Sequence, residues 1–503
     1  MSGSDLGHAR PAPLVPKGRI APFLVVTPLF FLWAIPNNLT DILIRQFMKS
    51  FEVNGSGAAQ LQLGIFVGYF LLAIPAGQIM RHYGYKIGLV TGLILMASGC
   101  WMFWPAALAG RYAYFVAAQF VIGSGLSFLE TGANSFIAQL GPAESSERRL
   151  NFSQAFNPLG SITAGLVGTV FIFSGVELSG AEAAARRASG TMQAYLHAET
   201  LRVVPVYVVL GSVALLWALI VLAIKFPDLA AEDASREDAG PARHVRLMQR
   251  HFVMAVLAQF LYVGAQVGTW SYFILYVRSA TGVGDKFAGY MLTGTLAAFA
   301  VGRFSSAWLM RHFHARRMLA LYAMVNVVLG LVAVTRPKWL DELILRPLHE
   351  VNISLLNHAV RGLMNHVQGE LANQVANRLL NHQVSGMTLS TRMWLSYVDF
   401  LRTMDVLTSP GWLGVHCLLL TSLFMSIMFP TIFAMGLKGM GEKTKTAGSL
   451  LVMAILGGAA LTKVMGVLRD ASGLQAAYLV PVVCFAGVGL YAWLWAERRV
   501  VEE

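Results

Sequence analysis

Ala-Gly-Gln-Ile-Met-Arg-His-Tyr, residues 76–83, returns as Ser-Ala-Trp-Leu-Met-Arg-His-Phe at residues 306–313. The last four positions share Met-Arg-His-aromatic, at an offset of 230. Each copy closes an apolar run and opens a short basic loop. Internal similarity of this kind marks a membrane protein built as two related halves. Working outward from the two copies, apolar runs near the ~20 residues that cross a bilayer recur twelve times. The first six cover about 21–47, 58–80, 87–106, 112–139, 152–174 and 203–225. The second six cover about 252–277, 287–310, 318–335, 412–437, 446–468 and 475–497. The expected fold is therefore an all-α membrane protein of twelve transmembrane helices in two pseudo-symmetric halves of six.

Composition agrees with that reading. Of 503 residues, 56% are apolar and 13% are charged, against about 25% charged in soluble domains; the mean hydropathy is +0.59. Residues 1–20, polar and carrying Pro11, Pro13 and Pro16, read as a disordered tail with no signal-peptide pattern. The net charge of +12 lies mostly in short loops. Arg81, Lys86, Arg148, Arg149, Arg311, Arg316, Arg317, Lys438, Lys443 and Lys445 fall in alternate loops. By the positive-inside rule those loops and both termini are cytoplasmic. No basic stripe is interleaved with aromatics, so nucleic acid is not an expected partner. Cys100, Cys417 and Cys484 all lie in apolar runs without metal-site or redox spacing. No phosphate-binding Gly-rich loop is present, and no constellation in the chain reads as an enzyme. Neither a cofactor nor a bound metal is expected.

The first half covers 21–225 and a charged linker 226–250. The second half begins with 251–335 and ends with 412–503. Residues 133–137 align best with 429–433, at an offset of 296 rather than 230, so 336–411 is an insertion between spans nine and ten. That places it outside the membrane, opposite the termini. Its apolar positions (Leu355, Leu356, Leu363, Val367, Leu371, Val375, Leu379) keep a helical period, and Leu-Leu-Asn-His occurs at both 355–358 and 379–382. Its histidines His349, His358, His366 and His382 do not match a standard metal spacing. A helical cap or docking piece for an unknown partner fits better than a catalytic unit.

Two carboxylates interrupt the apolar runs, Asp41 in span one and Glu130 in span four. A charge at bilayer depth costs several kcal/mol and is retained mainly where it faces a bundle interior or a water-filled path. Asn37 and Asn38 precede Asp41 by four and three residues and Asn134 follows Glu130 by four, so each set shares a helix face. Gln154 and Asn157 share a face of span five. Gln259, Tyr262, Gln266 and Trp270 form one stripe on span seven. Amides beside an aromatic plane suit a sugar, whose hydroxyls hydrogen-bond and whose C–H face stacks. The alternative use of such amides is polar contact between helices.

In order along the chain stand Leu-Phe-Phe-Leu-Trp-Ala-Ile-Pro-Asn-Asn-Leu-Thr-Asp-Ile-Leu (29–43), Phe-Leu-Glu-Thr-Gly-Ala-Asn-Ser-Phe (128–136), Asn-Phe-Ser-Gln-Ala-Phe-Asn (151–157), Ala-Gln-Phe-Leu-Tyr-Val-Gly-Ala-Gln (258–266) and Phe-Pro-Thr-Ile-Phe (429–433). Together they resemble the L-fucose:proton symporter branch of the major facilitator superfamily, the fucose/galactose/hexose group. The resemblance implies a sugar site between the halves, and Asp41 and Glu130 as proton-coupling acids, with Glu130 the central switch. It also implies proton-coupled import of a monosaccharide across a bacterial cytoplasmic membrane, the proton being the coupling ion. Sodium-coupled or uncoupled hexose transport is the nearer alternative. A sugar sensor or adhesion scaffold acting through the insert is the more distant one. Two positions depart from the branch: Thr40 replaces an Asn, and Phe429 replaces a Tyr, removing a hydroxyl from the expected site. Arg303 reads as a gate or packing residue, and Lys463 as a cation that reaches outward.

Overall fold

A computed structural model describes residues 13–53, 57, 60–174, 178–227, 229, 249–366, 389–409 and 411–495. Among these residues every regular element is a helix. Ten helical stretches are long and apolar enough to cross a membrane. One of them, Gln60–Ala109, is two spans, 60–83 and 85–109, because Gly84 breaks the helix at φ 82° and ψ 167°. Only glycine adopts that geometry without strain. Asp285–Leu309 supplies the twelfth span.

Span one is Lys17–Ser50; spans two and three are the two parts just given. Span four is Tyr112–Gln139, span five Ala143–Ile172 and span six Met192–Ala223. Span seven is Arg250–Ser271, continued past Tyr272 by Phe273–Thr281; span eight is Asp285–Leu309 and span nine Ala315–Thr335. Spans ten to twelve are Leu413–Leu437, Thr444–Ser472 and Leu474–Leu494. With an even count, span one begins and span twelve ends at the same end of the bundle, called the terminal end below. The other is the insert end.

Within the first half, spans two and three pack on span four, and span one packs on span five; in the second, span nine packs on ten and twelve, and span seven on eleven and twelve. Small residues let the backbones meet, since lipid supplies no hydrophobic drive between helices. A Cβ at Gly123 would strike the Ile65 backbone of span two, and one at Gly457 would strike the Phe260 backbone of span seven. The repeat that identifies the halves holds in three dimensions. Met80 is buried and Met310 half-buried, while Arg81, His82 and Tyr83, like Arg311, His312 and Phe313, are exposed at the terminal end.

Several expectations change. From Pro13 onward the supposed disordered tail is seated on the bundle: the Pro13 carbonyl accepts from Ser145 (3.1 Å) and that of Leu14 from Arg149 (3.2 Å). Arg149 is not a solvated loop charge. It is fully buried and donates to the carbonyls of Ile137 (2.6 Å) and Ala138 (2.5 Å), at the terminal end of span four. Carbonyls in the last turn of a helix are short of intrahelical donors, and Arg149 adds to the one weak bond that Ile137 accepts from the Leu140 N–H (3.4 Å). Span six begins at Met192 rather than near residue 203, because its polar first turns bind across the fold. Glu199 is buried against Lys49 (3.1 Å) and Gln46 (3.0 Å) of span one.

Among the described residues the insert provides the helices Lys338–His366 and Leu389–Thr408, packed on each other. Of the positions that keep the apolar period, Leu356 is half-buried, and Val367, Leu371, Val375 and Leu379 lie outside the described residues. Leu345, Asn352 and Ala359, seven apart, are buried with Val398 and Leu401, and Asn352 donates to the Leu401 carbonyl at 3.0 Å; Leu355 is exposed. The Asp341 carboxylate accepts from the Gly411 N–H (2.7 Å), tying the insert to the start of span ten. Most of the linker 226–250 and the second Leu-Leu-Asn-His, with His382, lie outside the described residues.

Candidate functional site

Pro36 and the amides after it set the character of span one. Asn37, Asp41 and Arg45 succeed one another at four-residue steps and are all exposed, while Leu39, Thr40 and Leu43 are buried. A stripe carrying an acid and a base is not left against lipid. It lies in the part of span one toward the insert end, with Arg45 close enough to act on the Asp41 charge. Asn38 is half-buried and donates to the Ala34 carbonyl one turn back (2.7 Å). Thr40 points away from the stripe. Its hydroxyl donates to the Pro36 carbonyl (3.1 Å) and receives Gln119 Nε2 of span four (3.4 Å). The change from Asn at that position therefore alters a helix contact, not the stripe.

Glu130 is half-buried near the middle of span four. Its carboxyl faces the Tyr69 hydroxyl of span two and, from the other half, the Arg303 guanidinium of span eight. One turn on, Asn134 Oδ1 accepts from Gln154 Nε2 at 2.7 Å. Gln154 is joined in turn to Arg303, whose Nη1 donates to the Gln154 carbonyl (2.6 Å) while its Nε donates to the Ser426 carbonyl of span ten (2.9 Å). Arg303 thus links the acid, the amide pair and the opposite half. It is 4% exposed, and its guanidinium lies 4.6 Å from the Phe299 ring centroid. Sequence reasoning gave it only a gating or packing part. Its cation in an apolar span was a signal, but its partners were not legible. Asn157 is half-buried and reaches the Phe30 carbonyl at 3.4 Å.

The facing wall is aromatic. Tyr262 is fully buried, its hydroxyl turned toward Arg303 without closing a hydrogen bond and its ring set edge-on to Phe429. Trp270 is half-buried, donates Nε1 to Ser422 Oγ (3.1 Å) and stands edge-on to Phe299. Gln266, between them on span seven, is half-buried. Gln259 is fully buried, and neither atom of its amide meets a partner within the protein; the same is true of Asn134 Nδ2. An unpaired buried polar atom costs about 1–3 kcal/mol. Donors and acceptors of this kind in the bundle suit a solute rich in hydroxyls.

At the terminal end the halves are zipped together. Buried Glu147 of span five pairs with Lys438 after span ten (2.5 Å). Asn151 Nδ2 donates to Thr431 Oγ1 (3.0 Å), and Lys445 lies over the Tyr85 ring (5.0 Å). A Cβ on Gly77 or Gly448 would strike the other half at Ser449 or Ser135. Sequence reasoning gave Glu147 no part, and it quoted Asn151 only within the 151–157 stretch without a role of its own. Among the described residues no cluster of His, Cys, Asp and Glu could hold a metal ion.

Residues 23–343 match the model of the Major Facilitator Superfamily. The chain is 35% identical over 481 residues to the L-fucose-proton symporter of Escherichia coli (strain K12), covering 95% of this chain and 93% of that one. It is 29% identical over 474 residues to the glucose/galactose transporter of Brucella abortus biovar 1 (strain 9-941), covering 94% and 93%. Among solved structures, the crystal structure of the major facilitator superfamily transporter FucP in the outward conformation superposes with a TM-score of 0.74 at 34% identity, over 96% of this chain and 100% of that chain.

Proposed function

This chain belongs to the Major Facilitator Superfamily, and we propose that it imports an L-fucose-like monosaccharide together with a proton across a bacterial inner membrane. The observation that carries the reading is Glu130. It is an acid in mid-span, facing Tyr69 on its own half and Arg303 on the other.

The parts then act in sequence. The basic loops place the terminal end in the cytoplasm, so the zipped contacts of Glu147 with Lys438 and Asn151 with Thr431 close the cytoplasmic side. Sugar enters from the insert end past Asn37 and Asp41. Asn134, Gln154, Asn157 and Gln259 offer hydrogen bonds, and Tyr262 and Trp270 offer ring faces. Glu130 takes up the proton. A neutral Glu130 no longer holds Arg303 by charge, so Arg303 becomes free to release Gln154 and the zipped end to part. Rocking of one half against the other is how transporters with a site between repeats work, and the ligand shifts that balance only by binding the two states differently. No cofactor is required; the proton is the coupling ion.

The test is uptake into proteoliposomes holding the full chain, with L-fucose, D-arabinose, galactose and glucose offered with and without an inward pH gradient. Accumulation driven by the pH gradient in the absence of sodium is expected, with alkalinisation outside. Accumulation that needs sodium, or equilibration without accumulation, overturns proton coupling. Binding without any uptake assigns the chain to sensing.

A further inference from the structure

At the terminal end, away from the sugar site, a cavity of about 410 Å³ lies between spans nine and twelve. His314, Arg316, Arg317, Ala320, Ala492 and Trp493 line it. Among the described residues the lining has basic side chains and no carboxylate. Arg316 is fixed by donating to the carbonyls of Ala492 (2.9 Å) and Trp493 (2.5 Å), which seats its charge in the wall. Arg317 and His314 are exposed beside it.

The cavity sits where two outward apolar stripes meet. Arg317 heads one on span nine, with Leu321, Met324, Val328 and Leu331 following at steps of four, three, four and three; the last four are exposed by 41–60%. Trp493 heads the other on span twelve, where Leu490, Val483 and Leu479 are exposed by 42–67%. Spans nine and twelve pack closely, Gly489 against Ala323, so the stripes border one shallow seam. Trp308, Phe313 and Trp493 are all exposed near the terminal ends of spans eight and twelve, as aromatic side chains are where a bilayer meets water. A soluble phosphate would use the basic groups but leave the stripes unexplained. A two-chain lipid with an anionic head uses both, and basic pockets between transmembrane helices hold such heads.

We propose that this cavity is a binding site for the phosphate head of an anionic phospholipid, whose chains run along the seam between spans nine and twelve. Arg316 and Arg317 take the phosphate, His314 donates to it, and Trp493 covers the glycerol.

The experiment uses the full chain in detergent, titrated with dioleoyl phosphatidylglycerol or dioleoyl phosphatidylcholine and followed by native mass spectrometry. The wild type is expected to retain phosphatidylglycerol preferentially. Arg317→Gln with His314→Gln is expected to weaken that retention roughly tenfold, leaving sugar binding unchanged as the check on folding; Arg317→Gln alone serves if the pair misfolds. Equal retention by variant and wild type, or no preference between the two lipids, overturns the proposal. Displacement of the lipid by millimolar inorganic phosphate, or equal binding of the chain-free head group, makes it a small-anion site and also overturns it. Truncation after Trp495 is expected to leave retention intact; its loss would assign the cavity to the segment beyond.

Discussion

The two halves bring different chemistry to the interior of the bundle. The first half contributes Asp41, Glu130 and the amides Asn37, Asn134, Gln154 and Asn157. The second contributes the rings Tyr262, Trp270, Phe299 and Phe429 and the amides Gln259 and Gln266, with Arg303 the cation that crosses to the Gln154 carbonyl. Halves descended from one repeat have thus divided the work. One half holds both acids, and the other holds the rings and the cation. Arg303 joins them, through the Gln154 carbonyl on one side and the Ser426 carbonyl on the other.

The comparison breaks hardest at the acids. Glu130→Gln fixes the neutral form, so uphill accumulation should vanish while exchange of labelled for unlabelled sugar continues; a normal accumulation ratio would remove Glu130 from the proton path. Asp41→Ala should likewise stop active uptake, and unchanged pH-driven accumulation would leave Asp41 as a water-facing charge of no consequence. Arg303→Ala comes next. Hydrogen bonds from charged groups contribute about 1.5–3 kcal/mol, so uptake should fall roughly 10- to 100-fold, with a displaced pH profile for exchange and partial rescue by Arg303→Lys. A lower rate with an unmoved profile would reduce Arg303 to packing. On the aromatic wall, Trp270→Ala should weaken apparent sugar affinity about 2- to 10-fold, the scale of one aromatic contact, with the coupling ratio intact. The smallest effect sharpens the contrast between two sequence departures. Phe429→Tyr should reorder sugar preference, since it adds a hydroxyl beside Tyr262, whereas Thr40→Asn should change affinity by less than about twofold, because Thr40 faces Gln119 away from the stripe that carries Asp41. Equal shifts from both would erase the distinction.

The acids were legible because a carboxylate in an apolar run violates the local pattern, and amides one turn away mark which face it uses. Glu147 and Asn151 were not legible, since polar residues at a helix end are ordinary and their meaning lies in Lys438 and Thr431, on another half of the chain. The insert was legible as helical, but not every residue of its seam was. Leu355 kept the apolar period yet stayed exposed, while Asn352 entered the seam by finding the Leu401 carbonyl.

Sequence alone determined the twelve spans, the two related halves, the extra segment between spans nine and ten and the faces on which the acids lie. Each of these follows from distances along one helix or from the thickness of a bilayer, which composition and spacing record directly. Tertiary structure decided which buried groups meet. Arg303 reaches carbonyls 149 and 123 residues away, at Gln154 and Ser426. It also turned Thr40 aside, buried Arg149 against the end of span four and shut one end of the bundle. Pairings between distant helices depend on how whole faces pack, and a list of residues in order does not contain that geometry.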